Sequence, residues 1–131
     1  MNDPKQLLPA KLTDEAERSE TGARNVLLSF VRAIEEREFQ VAWAVMEPDL
    51  RANTSPEAIG ATFADFGRIT ASAPSGTMGG AAGSSYYEAP VTFTGSNGAR
   101  KSGTLQLRRV NDVDGSSAYE RRWHVSQFKV D

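Results

Sequence analysis

At 131 residues the chain suits one domain and leaves little room for two. Fifteen basic against seventeen acidic side chains give a formal charge of −2, which excludes the strong basic field that draws proteins to nucleic acid or anionic membranes. The lack of cysteine excludes disulfides, thiolate nucleophiles and zinc–cysteine sites, and no apolar run approaches the roughly 20 residues of a membrane helix.

Residues 1–12 have no apolar signal-peptide core; Asp3, Pro4, Lys5 and Pro9 read as a polar leader or tether to a single domain over 13–131. If an export signal precedes this stretch, the protein is periplasmic or lipid-anchored; otherwise it is cytoplasmic. Thr13 is placed to cap a helix whose first turn carries Asp14, Glu15 and Glu17, acids that the positive helix end favours. Ala23, Val26, Leu27, Phe30, Val31 and Ile34 recur at steps of three and four, so one apolar stripe predicts a helix over 22–37. Arg24, Arg32, Glu35 and Glu36 take its opposite face, and Gly22 marks a break from the preceding segment.

A second, shorter stripe of Phe39, Ala42, Trp43 and Met46 predicts a helix ending near Glu47, because the residue before Pro48 resists the α conformation. A third helix starts with Ser55 as N-cap and Pro56 at the first position, and stops before Gly67. Ile59, Phe63 and Phe66 share one of its faces, with Thr62 the polar residue among them.

From Arg68 the period changes to two. Residues 68–72, continuing irregularly past Pro74 to Gly80, predict an edge strand, since proline cannot donate to a ladder. The small residues 79–84 turn into a strand over 85–94 with Tyr87, Ala89, Val91 and Phe93 on one face. Gly95-Ser96-Asn97-Gly98 is a hairpin signal, and the return strand over 100–110 points Leu105 and Leu107 inward. A polar loop over 111–118 leads to a last strand over 119–130. There Trp123 and Val125 share a parity that Phe128 and Val130 lack, so a bulge at Ser126 or Gln127 is required to bring all four to one face.

The fold class expected is α+β: three N-terminal helices on a strongly bent antiparallel sheet of four to five strands. The pairing of residues 26–34 with residues 39–46 across a charged corner, and the closing run Arg122-Trp123-His124-Val125-Ser126-Gln127-Phe128, resemble the cone-shaped nuclear transport factor 2-like (NTF2-like, cystatin-like) superfamily over residues 23–130. Residues 81–91 and 108–113 look most like its small exported or lipoprotein members of unknown role. The enzymes of that superfamily use Asp/His or Tyr/Asp groups projecting into the cone, and the resemblance transfers no such set here.

The candidate site residues fall into three groups. Trp43, Met46, Phe63, Phe66, Tyr87, Phe93 and Trp123 either line an apolar pocket or form the core, the commoner fate of aromatics at this spacing. Arg109 and Arg121 have inward parity near strand ends and can ring a cavity mouth that attracts an anion. His124 alternates with Trp123 and so points to the outer sheet face, where Tyr86, Glu88, Gln106, Arg108 and Arg122 join it as a surface for a homodimer.

Glu57 and Asp65 lie off the apolar stripe and make poor acid/base candidates without desolvation. Gly76, Gly79, Gly80 and Gly83 lack the strand–glycine–helix context of a phosphate cradle. No metal or cofactor and no nucleic-acid partner is expected. The leading expectation is a non-enzymatic domain that binds a small apolar or amphipathic ligand or a protein partner. Its rivals are a small cavity enzyme of isomerase, dehydratase or hydrolase type, and a structural homodimerisation module.

Overall fold

The computed structural model describes residues 7–81, 83–111 and 115–131. The first half of the expected leader, position 82 of the turn over 79–84 and positions 112–114 of the polar loop lie outside the described residues. Thr13 caps α1 (Asp14–Glu17) by accepting from the Ala16 amide at 3.2 Å. The break to α2 (Glu20–Glu35) falls at Arg18 and Ser19, ahead of the expected Gly22. Ser19 Oγ accepts from the Thr21 amide and donates to the Ala16 carbonyl, so it ends one helix and caps the next. The predicted stripe of α2 is buried throughout.

Its opposite face is less solvated than the pattern implies. Glu35 reaches the sheet and accepts from the Ala71 amide at 2.7 Å. Arg24 donates to the Ala73 and Pro74 carbonyls and to the Tyr87 hydroxyl. These side chains use their length to satisfy backbone groups that the helix stripe does not cover.

Among the described residues five helices replace the three expected. α3 (Phe39–Ala44) stops three residues short of the predicted end because Val45 closes it in a turn and Met46 then bridges to the last strand. The Val125 amide donates to Val45 and the Glu47 amide to Val125, at 2.9 and 2.8 Å. Pro48 then opens α4 (Pro48–Ala52) at its first position, a second use of proline beyond ending the helix before it. α5 (Pro56–Thr62) begins as predicted, with Ser55 Oγ accepting from the Ala58 amide at 3.1 Å. It ends at Thr62, and short turns over 63–66 keep Phe63 and Phe66 buried.

The sheet is open and antiparallel, with β1 (Ile69–Ser72), β3 (Ser84–Gly95), β4 (Arg100–Val110) and β5 (His124–Val130) adjacent in that order. The irregular edge expected over 68–80 resolves into β1 and β2 (Thr77–Ala81), both paired with β3 and separated around Pro74. β3 and β4 form the predicted hairpin, with Gly98 at φ +92° in its turn. At Gly103 the backbones of β4 and β5 approach so closely that a Cβ would run into the Lys129 carbonyl; only glycine fits.

β5 begins five residues later than expected, because residues 119–122 form turns. The bulge is present: Leu107 pairs with Val125 and Gln106 with Gln127, leaving Ser126 extra. Trp123 and Val125 are buried, and Phe128 and Val130 pack against the same core.

A chain of rings joins the layers. Phe30 meets Phe128 at 4.9 Å, Phe128 meets Phe93 at 6.0 Å, and Phe93 meets Phe63 at 5.0 Å, all edge-on; Phe63 stacks on Phe39 at 6.4 Å. This edge-to-face geometry adds to the area these rings bury between α2, α3, α5 and the sheet. The division between helices and strands is not complete, since Met46 forms its bridge to Val125 from within the helical half. No helix among the described residues is long and apolar enough to cross a membrane.

Candidate ligand groove

A concavity of about 530 Å³ lies where residues 8–12 and α1 pass the far ends of β4 and β5. Leu8, Val26, Val45 and Trp123 give it apolar walls, and Lys11, Arg18, Arg109, Arg121 and Arg122 give it cations. Asp14 and Glu17 are its acidic members among the described residues. Asn25 donates to the Ala10 carbonyl at 2.8 Å and so holds the wall formed by residues 8–12 against α2. Trp123 is held from the other side, its indole N–H donating to the Glu17 carbonyl at 2.6 Å.

Arg109 and Arg121 meet at this groove through different arrangements. Arg109 is buried at 5% exposure; its Nε donates to the Arg121 carbonyl at 2.8 Å and Nη1 to Asn111 Oδ1 at 3.4 Å. The Arg121 side chain is exposed and grips Ser116, at the hydroxyl and the carbonyl. The preceding turn is closed reciprocally, Ser117 donating its amide to Glu120 and accepting the Glu120 amide at its hydroxyl. Bonds to its carboxylate from Ser117, the backbone amide first and the side chain second, hold the Glu120 carboxyl below its ordinary range.

His124 lines the same groove and is half-buried, in place of the solvated position that strand parity implies. Its ring lies 4.3 Å from that of Tyr119, and Nδ1 sits 3.0 Å from the Arg122 carbonyl. Burial lowers its pKa from the ordinary 6.5; the bond to Arg122 opposes this, and the charges of Arg51 and Arg122 reinforce it. Arg51 belongs to a wider cluster: it donates to the Tyr119 hydroxyl at 3.2 Å and lies 5.6 Å over the Trp43 ring.

The other predicted residues are dispersed. Met46, Phe63, Phe66, Tyr87, Phe93 and Trp123 are core residues, and among them only Trp123 borders this groove. Trp43 is half-buried and donates to the Arg51 carbonyl. On the outer sheet face, Arg108 is engaged by Glu47 at 3.4 Å; burial works against its charge, but the bonds to Glu47 and Tyr86 prevail and raise its pKa. Tyr86, Gln106 and Arg108 are half-buried and Glu88 and Arg122 exposed. Glu57 and Asp65 are exposed.

Sequence reasoning did not foresee the Tyr87 hydroxyl. It donates to Glu20 Oε2 at 2.8 Å and accepts from the Gly76 amide at 2.7 Å and Arg24 Nη1 at 3.1 Å. The only sequence signal for it is a tyrosine where an alternating strand turns inward, which asks for a buried partner for its O–H.

No family model and no curated protein matches the chain. Among solved structures, it is similar to the solution structure of a SEC-C motif containing protein from Rhodopseudomonas palustris, with a TM-score of 0.53 and 13% identity. The match covers 87% of this chain and 85% of the other. The likeness is one of fold. It replaces the NTF2-like resemblance, whose carriers have local explanations: the paired helical stripes are ordinary core faces, and the Trp-x-Val-x-x-Phe run is a bulged strand packing against α2.

Proposed function

We propose that the protein is a non-catalytic binding module whose ligand is a small amphipathic molecule seated in the groove beside Trp123. The observation that supports this reading most is the composition of that one concavity, apolar on Leu8, Val26, Val45 and Trp123 and bordered by Lys11, Arg121 and Arg122. Pockets that hold small molecules are mostly apolar with a few placed polar groups, and this groove has that balance. Arg121 is fixed by Ser116, so its position needs little ordering when a ligand arrives.

A small cavity enzyme is the second reading, favoured by one specific observation. His124 sits in the groove with a pKa below 6.5, which keeps its imidazole neutral at pH 7 and available as a base. Its Nδ1 is already occupied by the Arg122 carbonyl, leaving Nε2 as the atom for such a role.

Titration with the amphipathic anion anilinonaphthalene sulfonate, followed by fluorescence, tests the binding reading. Saturable binding to the native protein is expected, weakened roughly tenfold by Ala44→Glu, which puts a carboxylate on the exposed lip of the groove. Equal binding by parent and variant would remove the groove as the ligand site.

A further inference from the structure

A second concavity of about 460 Å³ runs along β5, away from the basic groove. Its walls are Met46, Leu50, Ala58, Ile59 and Thr62 on the helical side, and residues 128–131 on the other. β5 is the last strand of the sheet, so among the described residues its outer edge has no strand beside it except at one place. There residues 45–47 run parallel to it, exchanging both bonds with Val125. At Pro48 the chain leaves that edge to form α4.

The register fixes which backbone groups remain. Ser102 and Asp131 exchange both ladder bonds, which makes Thr104–Lys129 the next bonded pair and turns the N–H and C=O of Phe128 and Val130 outward. No backbone bond satisfies these groups among the described residues. Phe128 and Val130 are themselves part of the lining of the concavity, which Leu50, Ala58 and Ile59 border from α4 and α5.

We infer that this edge is a docking site for an extended peptide segment of a partner protein, which adds a strand to β5 where residues 45–47 leave off. A partly apolar groove alone would take many occupants; the unpaired ladder groups at every second residue specify a strand. Successive side chains of that strand would alternate between the apolar wall and solvent, so the fitting sequence alternates apolar and polar residues. Residues 128–131 offer room for about four residues at roughly 3.3 Å each.

The test uses the whole chain and a capped Thr-Val-Thr-Val-Thr peptide, with an analogue N-methylated at alternate residues to remove the donors of one edge. Amide exchange at Phe128 and Val130 is expected to slow about tenfold on saturation, and the methylated peptide to bind roughly tenfold more weakly, as the loss of two neutral hydrogen bonds implies. Ala58→Glu is expected to weaken the unmodified peptide similarly. That change keeps the fold, because a glutamate three residues after the Ser55 cap completes a capping box. Equal binding of the two peptides would make the site an apolar pocket. Protection that grows with protein concentration alone would make the occupant a second copy. No perturbation of the two amides at millimolar peptide would also overturn the inference.

Discussion

Replacing Tyr87 by phenylalanine isolates one oxygen in the middle of the molecule. The ring stays buried at 0% exposure, so the apolar contribution is conserved and only the hydroxyl network is lost. Three bonds disappear, to Glu20, Arg24 and Gly76. They are not equal. Glu20 is exposed and regains water, and Arg24 keeps the Ala73 and Pro74 carbonyls. The part-buried Gly76 amide has no other acceptor among the described residues, and an orphaned donor of that kind costs about 1–3 kcal/mol. Adding a net bond of about 1 kcal/mol to the charged Arg24 gives an expected loss of roughly 2–4 kcal/mol. Urea unfolding should show a lower midpoint with an unchanged slope, because the surface exposed on unfolding is the same. Glu20→Gln serves as the control and should cost about 0.5 kcal/mol or less, its partner being solvated on one side. A Tyr87→Phe loss below about 0.5 kcal/mol, or one no larger than that of Glu20→Gln, would refute the claim that this network pins α2 to the connection between β1 and β2.

Trp123→Ala should cost about 3–5 kcal/mol, since a ring at 2% exposure is removed together with its bond to Glu17; near-zero loss in the same urea assay would mean the ring is not core. His124 has a folded-state pKa below 6.5, so the unfolded chain binds more protons between the two values. Its contribution is therefore complete above pH 6.5 and is lost as pH falls toward the folded-state value. His124→Gln should flatten that part of the stability profile relative to the parent, as measured by thermal midpoints across the acid limb, and superimposable profiles would contradict it.

Much of the fold is legible in the sequence because period and punctuation agree over most of the chain. Ser55-Pro56 starts a helix, Asn97-Gly98 turns a hairpin, and the parity conflict between Val125 and Phe128 requires a bulge, since one hydrophobic face has to be buried. What escapes is decided by distant partners. α3 ends early because β5 needs a neighbour at Val125, and nothing near Val45 in sequence signals a partner 80 positions away. The candidate site is less legible for a related reason. Parity places His124 opposite Trp123, but the turn over 119–122 folds Tyr119 over it, and residues 8–12 supply a wall that no periodicity marks. A family resemblance built on core-face patterns fails for the same cause, because many folds bury the same stripes.

The bond from the Trp123 indole to the Glu17 carbonyl joins positions 106 residues apart. Closing so long a loop is entropically costly and slow, and the native contacts at β5 can offset that cost only once both halves of the chain are in place. β5 is held between β4, about 20 residues upstream, and residues 45–47, whose geometry depends on α2 and α3. The last strand therefore depends on the whole molecule, since the Trp123 indole can reach its acceptor only when the two ends of the chain are brought together.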